Sequence, residues 1–153
     1  QRFGIAQALL GKPRLVIVDE PTAGLDPEER NRFNDLLAEI GEQVVVILST
    51  HIVEDVAEVC TRMAIMLEGR VVACDTPAAL TAALRGKIWS QVIDKSELPD
   101  LRERFDVVAT RLRGGRSVVR VLADAAPGGA FEAAPATIED VYFSTLYTRR
   151  AAE

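Results

Sequence analysis

The stretch from Leu15 to Pro27, Leu-Val-Ile-Val-Asp-Glu-Pro-Thr-Ala-Gly-Leu-Asp-Pro, constrains the fold more than any other part of the chain. Leu15-Val16-Ile17-Val18 is an unbroken apolar run, the pattern of a strand buried on both faces in a parallel sheet covered by helices. The run stops at two adjacent carboxylates, Asp19 and Glu20. Pro21 has a fixed φ and no backbone donor, so regular structure ends there. Gly24 allows a tight bend. Asp26-Pro27 then opens a helix, with Asp as N-cap and Pro at the first helical position. A strand that carries two acids to its carboxyl end is placed for chemistry, because ligands of open α/β sheets sit outside those ends.

The next segments extend this into a βαβ unit. Phe33, Leu36, Leu37 and Ile40 fall at helical spacing, which predicts a helix from Pro27 to about Ile40 with Gly41 as its stop. Val44 to Leu48 reads as a second buried strand. Strand, helix and strand at this spacing predict two parallel strands joined by a right-handed crossover. Their carboxyl ends then share one edge, which gathers Asp19 and Glu20 with Ser49, Thr50 and His51. His51 is the one histidine of the chain.

Upstream, Arg2 to Leu10 reads as a helix with Phe3, Ala6, Leu9 and Leu10 on one side, ended by Gly11 and Pro13. The chain opens on Gln1, with no initiator Met and no capping residue, so it is expected to be a piece of a longer protein. Downstream of His51 a helix of roughly ten residues is expected on helix-length grounds, with Val53, Val56, Val59 and Cys60 inward. Met63 to Leu67 and Val71 to Cys74 read as strands around Glu68-Gly69-Arg70. Asp75-Thr76-Pro77 caps a helix that reaches Leu84 and stops at Gly86.

The character changes there, which predicts two domains, 1–86 and 87–153. In the second, Ile88 to Ile93 is a strand, and Glu97 to Arg104 a short helix interrupted early by Pro99. Asp106 to Leu112 and Ser117 to Leu122 form a hairpin over Arg113-Gly114-Gly115-Arg116, whose glycines tolerate positive φ. Arg113 and Arg116 are expected to face solvent, and Trp89 to lie in the core or at a domain contact. Ala123 to Pro135 reads as a mobile loop, and a last helix runs from Thr137 to about Tyr147. The second domain is thus a small α+β module.

Composition narrows the function. The formal charge of −5 over 153 residues argues against a nucleic-acid partner. The chain has neither an apolar run long enough for a membrane span nor a signal peptide. Cys60 and Cys74 sit among apolar neighbours and read as reduced core thiols. One histidine and no C-x-x-C argue against a zinc site.

The Leu15 to Pro27 run, followed by Ser49-Thr50-His51, strongly resembles the ATP-binding subunit of ABC transporters. Gln1-Arg2-Phe3-Gly4-Ile5-Ala6-Gln7-Ala8-Leu9-Leu10 is similar to the continuation of that family's signature helix. The resemblance covers Gln1 to about Leu84. The later module, ending in Ile138-Glu139-Asp140-Val141-Tyr142, is similar to the accessory region of bacterial drug-exporter and ABC-2-type subunits. The implied fold is α/β, the C-terminal part of a P-loop NTPase parallel sheet, followed by the α+β module.

The resemblance also implies roles. Asp19 matches the Walker B acid, which helps hold Mg²⁺ through its water shell. Glu20 matches the catalytic glutamate beside the attacking water, and His51 the switch histidine that contacts the γ-phosphate of ATP. Asp26 matches the D-loop aspartate, which in the family crosses the dimer interface, although Ala23-Gly24 stands where the family often has Ser. The implied protein is a cytoplasmic ATPase, peripheral on the membrane. It pairs head to tail with a second ATPase subunit and powers export through a permease subunit.

A phosphate cradle needs G-x-x-x-x-G-K-[ST]. Gly11-Lys12 is followed by Pro13, and Gly86-Lys87 by Ile88, so neither is one. The chain is therefore expected to hold the acid and histidine half of the site and to bind ATP poorly alone. Loss of neighbouring strands would leave an edge open beside Leu15–Val18 or Val44–Leu48, which predicts self-association. Two rival readings are a non-catalytic dimerisation or regulatory module in Ile88 to Arg150, and a metal-dependent hydrolase that uses Asp19, Glu20 and His51 as ligands.

Overall fold

The computed structural model describes residues 2–150. They fall into two compact units that divide between Cys60 and Thr61. The first holds α1 (Arg2–Leu9), β1 (Leu15–Asp19), α2 (Pro27–Gly41), β2 (Val45–Ser49) and α3 (Val53–Val59). β1 and β2 pair in parallel, from Leu15 opposite Val45 to Asp19 opposite Ser49. α2 is the connection between them, as the βαβ spacing requires. Phe33 and Leu37 of α2 are buried against Val18, Leu25, Ile40, Val46, Leu48 and Val59. Each such burial contributes about 1.5–3 kcal/mol.

Three expectations change here. β1 is not buried on both faces: Val16 is buried, whereas Leu15 and Ile17 are exposed, and so are Val45 and Ile47 of β2. The helices cover one face of this two-stranded sheet, so the apolar run is only half used. Gly41 does not stop α2 but lies inside it, and the cap residue Glu42 keeps a right-handed helical conformation. α3 is also shorter than expected, at 7 residues.

The second unit opens with an antiparallel hairpin of β3 (Met63–Leu67) and β4 (Arg70–Asp75), turned by Glu68 and Gly69 at φ 49° and 74°. Thr76 caps α4 (Pro77–Ala82), its hydroxyl accepting from the N–H of Ala79 at 3.1 Å. α4 ends short of Leu84. The rest is a four-stranded sheet of order β6-β7-β5-β8. Its strands are β5 (Ile88–Ile93), β6 (Asp106–Arg113), β7 (Arg116–Leu122) and β8 (Glu132–Ala133). β7 pairs antiparallel with both β5 and β6. β5, α5 (Leu98–Arg104) and β6 thus form a split βαβ unit with β7 inserted in it. Pro99 does not interrupt α5; it occupies the first turn, where no N–H is needed.

Ile93, Leu101, Val107, Val119 and Val121 form the core of this unit, with Trp89, Leu98, Phe105 and Phe131 packed against it. The Trp89 indole N–H donates to the carbonyl of Ala123 at 3.1 Å. β8 lies within the segment expected to be a loop and pairs with β5. Gly114 and Gly115, at φ 58° and 81°, turn the β6–β7 hairpin as their type demands. α6 (Ile138–Arg150) packs on β6 and runs beyond Tyr147.

Cys74 is exposed, not a core thiol; Cys60 is half-buried, and burial pushes its thiol pKa up. Among the described residues no helix is long and apolar enough to cross a membrane.

Candidate functional site

The parallel pairing places Asp19-Glu20 and Ser49-Thr50-His51 side by side where β1 and β2 end. Asp19 is the register partner of Ser49, whose hydroxyl donates a hydrogen bond to Asp19 Oδ1. The next residue leaves the strand. Glu20 adopts φ 45°, the left-handed region that side chains other than glycine rarely occupy. Its N–H donates to the carbonyl of Ser49 at 2.8 Å, and its carbonyl accepts from the N–H of Ala23 at 3.2 Å. Glu20 is thereby tied through its N–H to the neighbouring strand end and through its carbonyl to the turn that follows it.

The Glu20 carboxylate reaches the second strand end directly. Oε1 accepts from the backbone N–H of His51 at 3.0 Å, and Oε2 lies 2.7 Å from His51 Nδ1. The Thr50 hydroxyl stands 3.5 Å from Oε2 and accepts from the N–H of Ile52 at 3.0 Å. A carboxylate has no proton to give, so Nδ1 is the donor and Nε2 is left for a ligand. The imidazole is 75% exposed and the Glu20 side chain 35%. The pair is therefore open to an incoming group.

Asp26 is elsewhere in the turn, where its Oδ1 accepts from the N–H of Glu29 at 2.8 Å and caps α2. The structure thus brings Glu20 and His51 into contact and leaves Asp19 with Ser49 and Asp26 with its helix. A recess lined by Arg32, Phe33, Asp35, Leu36 and Glu39 along α2 includes none of these four residues.

Two polar residues near the site escaped the sequence reading. Thr22 and Asp55 are both buried, and the Thr22 hydroxyl donates to Asp55 Oδ2 at 2.6 Å. The signal was present: Asp55 shares the helical stripe of Ile52 and Val59, and an acid on an apolar stripe needs a buried partner.

The donor set decides which metal fits. Among the described residues no three His, Cys, Asp or Glu side chains stand together as a metal cage. The hydrolase reading needed Asp19, Glu20 and His51 as joint ligands; here Glu20 and His51 hold each other, and Asp19 holds Ser49. The Asp19 carboxylate at the strand end, hydrogen-bonded only to Ser49 among the side-chain bonds above, suits Mg²⁺, which keeps most of its waters and takes one or two carboxylates beside phosphate oxygens.

The site thus gathers a strand-end acid pair, a histidine just beyond the adjacent parallel strand and a capped helix behind them. No protein-family model matches the chain. Curated proteins do. It is 29% identical to an uncharacterized ABC transporter ATP-binding protein, YxlF, of Bacillus subtilis strain 168, over 96% of this chain and 55% of that protein. It is 37% identical to the methionine import ATP-binding protein MetN of Ralstonia nicotianae, over 76% of this chain and 35% of MetN. A solved structure, cbiO1 of Clostridium perfringens, part of the ABC transporter complex cbiONQ, shares 31% identity over 67% of this chain and 38% of its own, with a TM-score of 0.49. The sequence relatives support placing the chain among ABC transporter ATP-binding subunits. The chain spans about half the length of YxlF and about a third of MetN.

Proposed function

We propose that this chain carries the hydrolytic side of an ABC-type ATPase that powers a membrane transporter. The observation that supports it most is the Glu20–His51 pair at the ends of parallel β1 and β2, in a sequence similar to ATP-binding subunits. In this reading Glu20 accepts a proton from, and orients, the water that attacks the γ-phosphoryl group. His51, with Nδ1 donating to Glu20, accepts through Nε2 from the attacking water and so helps hold it beside the γ-phosphate. Asp19 meets the water shell of Mg²⁺. Asp26 reaches a second ATPase subunit across a head-to-tail dimer. A permease subunit is the membrane partner, and the ATPase lies on the cytoplasmic face.

The division at 86/87 belongs to this proposal, with the hydrolytic part before it and an accessory module after it. Export is the direction implied by the resemblance of that module. MetN, named for methionine import, speaks for the other direction. ATP-driven efflux against uptake in oriented vesicles decides between them.

The test is Glu20→Gln in a polypeptide that carries these residues together with a phosphate loop. The amide keeps the shape but is a poor base. Hydrolysis is expected to fall by about 10²–10⁴-fold with ATP binding retained. Undiminished hydrolysis overturns the assignment. This chain by itself, which contains no phosphate-loop motif, is expected to show no micromolar ATP binding by calorimetry.

A further inference from the structure

Thr22 and Asp55 make a second link between the same two strand ends that carry Glu20 and His51. Thr22 follows Glu20 and Pro21; Asp55 lies in the first turn of α3, just beyond His51. Both are buried, at 2% and 4% exposure, and their hydrogen bond is 2.6 Å long. A buried carboxylate is costly unless it is paired and hydrogen-bonded. The countercharge comes from Arg30 of α2, whose Nε lies 3.9 Å from Asp55 Oδ1. Asp55 therefore joins three segments: the turn after β1, the start of α2 and the start of α3.

α3 needs such an anchor. Its 7 residues are too few to hold a helix by local propensity. Its N-cap, Ile52, supplies no side-chain cap. Its position is set by tertiary contacts, and Asp55 is its buried polar residue. His51 immediately precedes this N-cap and is mostly exposed, so burial does not hold it. Where α3 starts decides where His51 sits.

We propose that the buried Thr22–Asp55 hydrogen bond, backed by Arg30, is a positioning latch: it holds α3 in the register at which His51 meets Glu20. Its kinetic consequence rests on the ATPase reading, whereas its structural consequence does not.

The experiment separates the two. His51 is the one histidine of the chain, so its ring signals are unambiguous in NMR. In the native chain, long-range ¹H–¹⁵N spectra of the neutral ring are expected to show the proton on Nδ1. Thr22→Val keeps the shape and removes the hydroxyl. It is expected to move the ring signals toward those of an unstructured histidine peptide, with the amide spectrum still that of a folded chain. Thr22→Ser restores the hydroxyl and is expected to restore the native signals. Where Thr22→Val fails to fold, Asp55→Leu, which keeps much of the shape and removes both the acceptor of that bond and the charge facing Arg30, is read in the same way.

In a polypeptide with a phosphate loop, Thr22→Val is expected to lower kcat about a hundredfold with KM for ATP unchanged. Native His51 signals in the folded variant overturn the latch, whatever Glu20→Gln does. Undiminished hydrolysis in Glu20→Gln overturns the ATPase reading and leaves the spectroscopic result standing.

Discussion

Glu20 holds His51 twice, once through the backbone N–H at 3.0 Å and once through Nδ1 at 2.7 Å. Two bonds from one residue fix both oxygens of the carboxylate and so fix the plane of the group. The backbone beneath it is strained, at φ 45°. A left-handed conformation at a residue other than glycine costs about 1–3 kcal/mol. Glycine would relieve that strain but supplies no carboxylate. The combination marks a position kept for its side chain, and it aims that side chain at the neighbouring strand end.

Asp26 allows stability and function to be separated. Its carboxylate caps α2 through Glu29 N–H at 2.8 Å. Asp26→Ala is expected to cost about 1 kcal/mol, read from urea unfolding. Asp26→Ser keeps a capping oxygen and is expected to unfold close to the native midpoint. In a polypeptide with a phosphate loop, Asp26→Ser is nonetheless expected to reduce hydrolysis, because the proposed reach across a dimer needs the longer, charged side chain. Full activity in Asp26→Ser limits Asp26 to its capping role.

The parallel βαβ unit, the cap at Asp26 and the hairpin over Gly114-Gly115 were legible because each rests on local rules: apolar spacing, a capping oxygen, a turn that needs positive φ. What the residues could not announce was set by neighbours. Leu15 and Ile17 are as apolar as a doubly covered strand requires, yet helices cover only one face. β8 consists of Glu132 and Ala133, and its strand character comes from pairing with Trp89 and Ser90 of β5. The left-handed turn at Glu20 is likewise imposed by closure onto Ser49. The meeting of Glu20 with His51 followed from topology, whereas the Thr22–Asp55 bond depends on burial that a strand-end pattern does not report.

Asp140 makes the stability of the second unit pH-dependent. It is buried and takes two hydrogen bonds from Arg120, at 2.7 and 2.9 Å, and two from Thr137, both 2.8 Å. Burial alone would raise its pKa; the bonds from Arg120 and Thr137 and the Arg120 charge outweigh this and hold the carboxyl below its ordinary value. The folded state therefore binds fewer protons than the unfolded state, whose aspartates titrate near ~3.9. This stabilisation is complete above that value and is lost as pH falls through the lower folded value. Asp140→Asn is expected to be less stable at pH 7 by about 3 kcal/mol and to lose less stability on acidification below about pH 4. Parallel pH profiles of the two proteins by urea unfolding would contradict the assignment.

The β3–β4 turn carries a correctable strain. Glu68 and Gly69 are both at positive φ, 49° and 74°. A two-residue turn of this hand prefers Asn-Gly. Glu68→Asn is expected to stabilise the fold by about 0.5–1 kcal/mol, and Glu68→Ile to destabilise it, since a β-branched residue resists that conformation. Thermal melting in the two directions checks the turn type.

The uncovered face of β1 and β2 predicts how the chain behaves in solution. Ile17 is 70% exposed and Val45 62%, with Leu15 and Ile47 beside them on the same face. These four side chains form a contiguous apolar strip on a sheet of two strands, which also leaves strand edges open. Exposed apolar strips and open edges both favour association with another chain. The chain alone is expected to show an apparent mass that rises with concentration in light scattering. Replacing Ile17 and Ile47 together by Thr keeps β-branched side chains in the strands but makes the strip more polar, and is expected to lower that mass without unfolding the protein. A native chain that stays monomeric at high concentration shows instead that the strip is too small to drive contact.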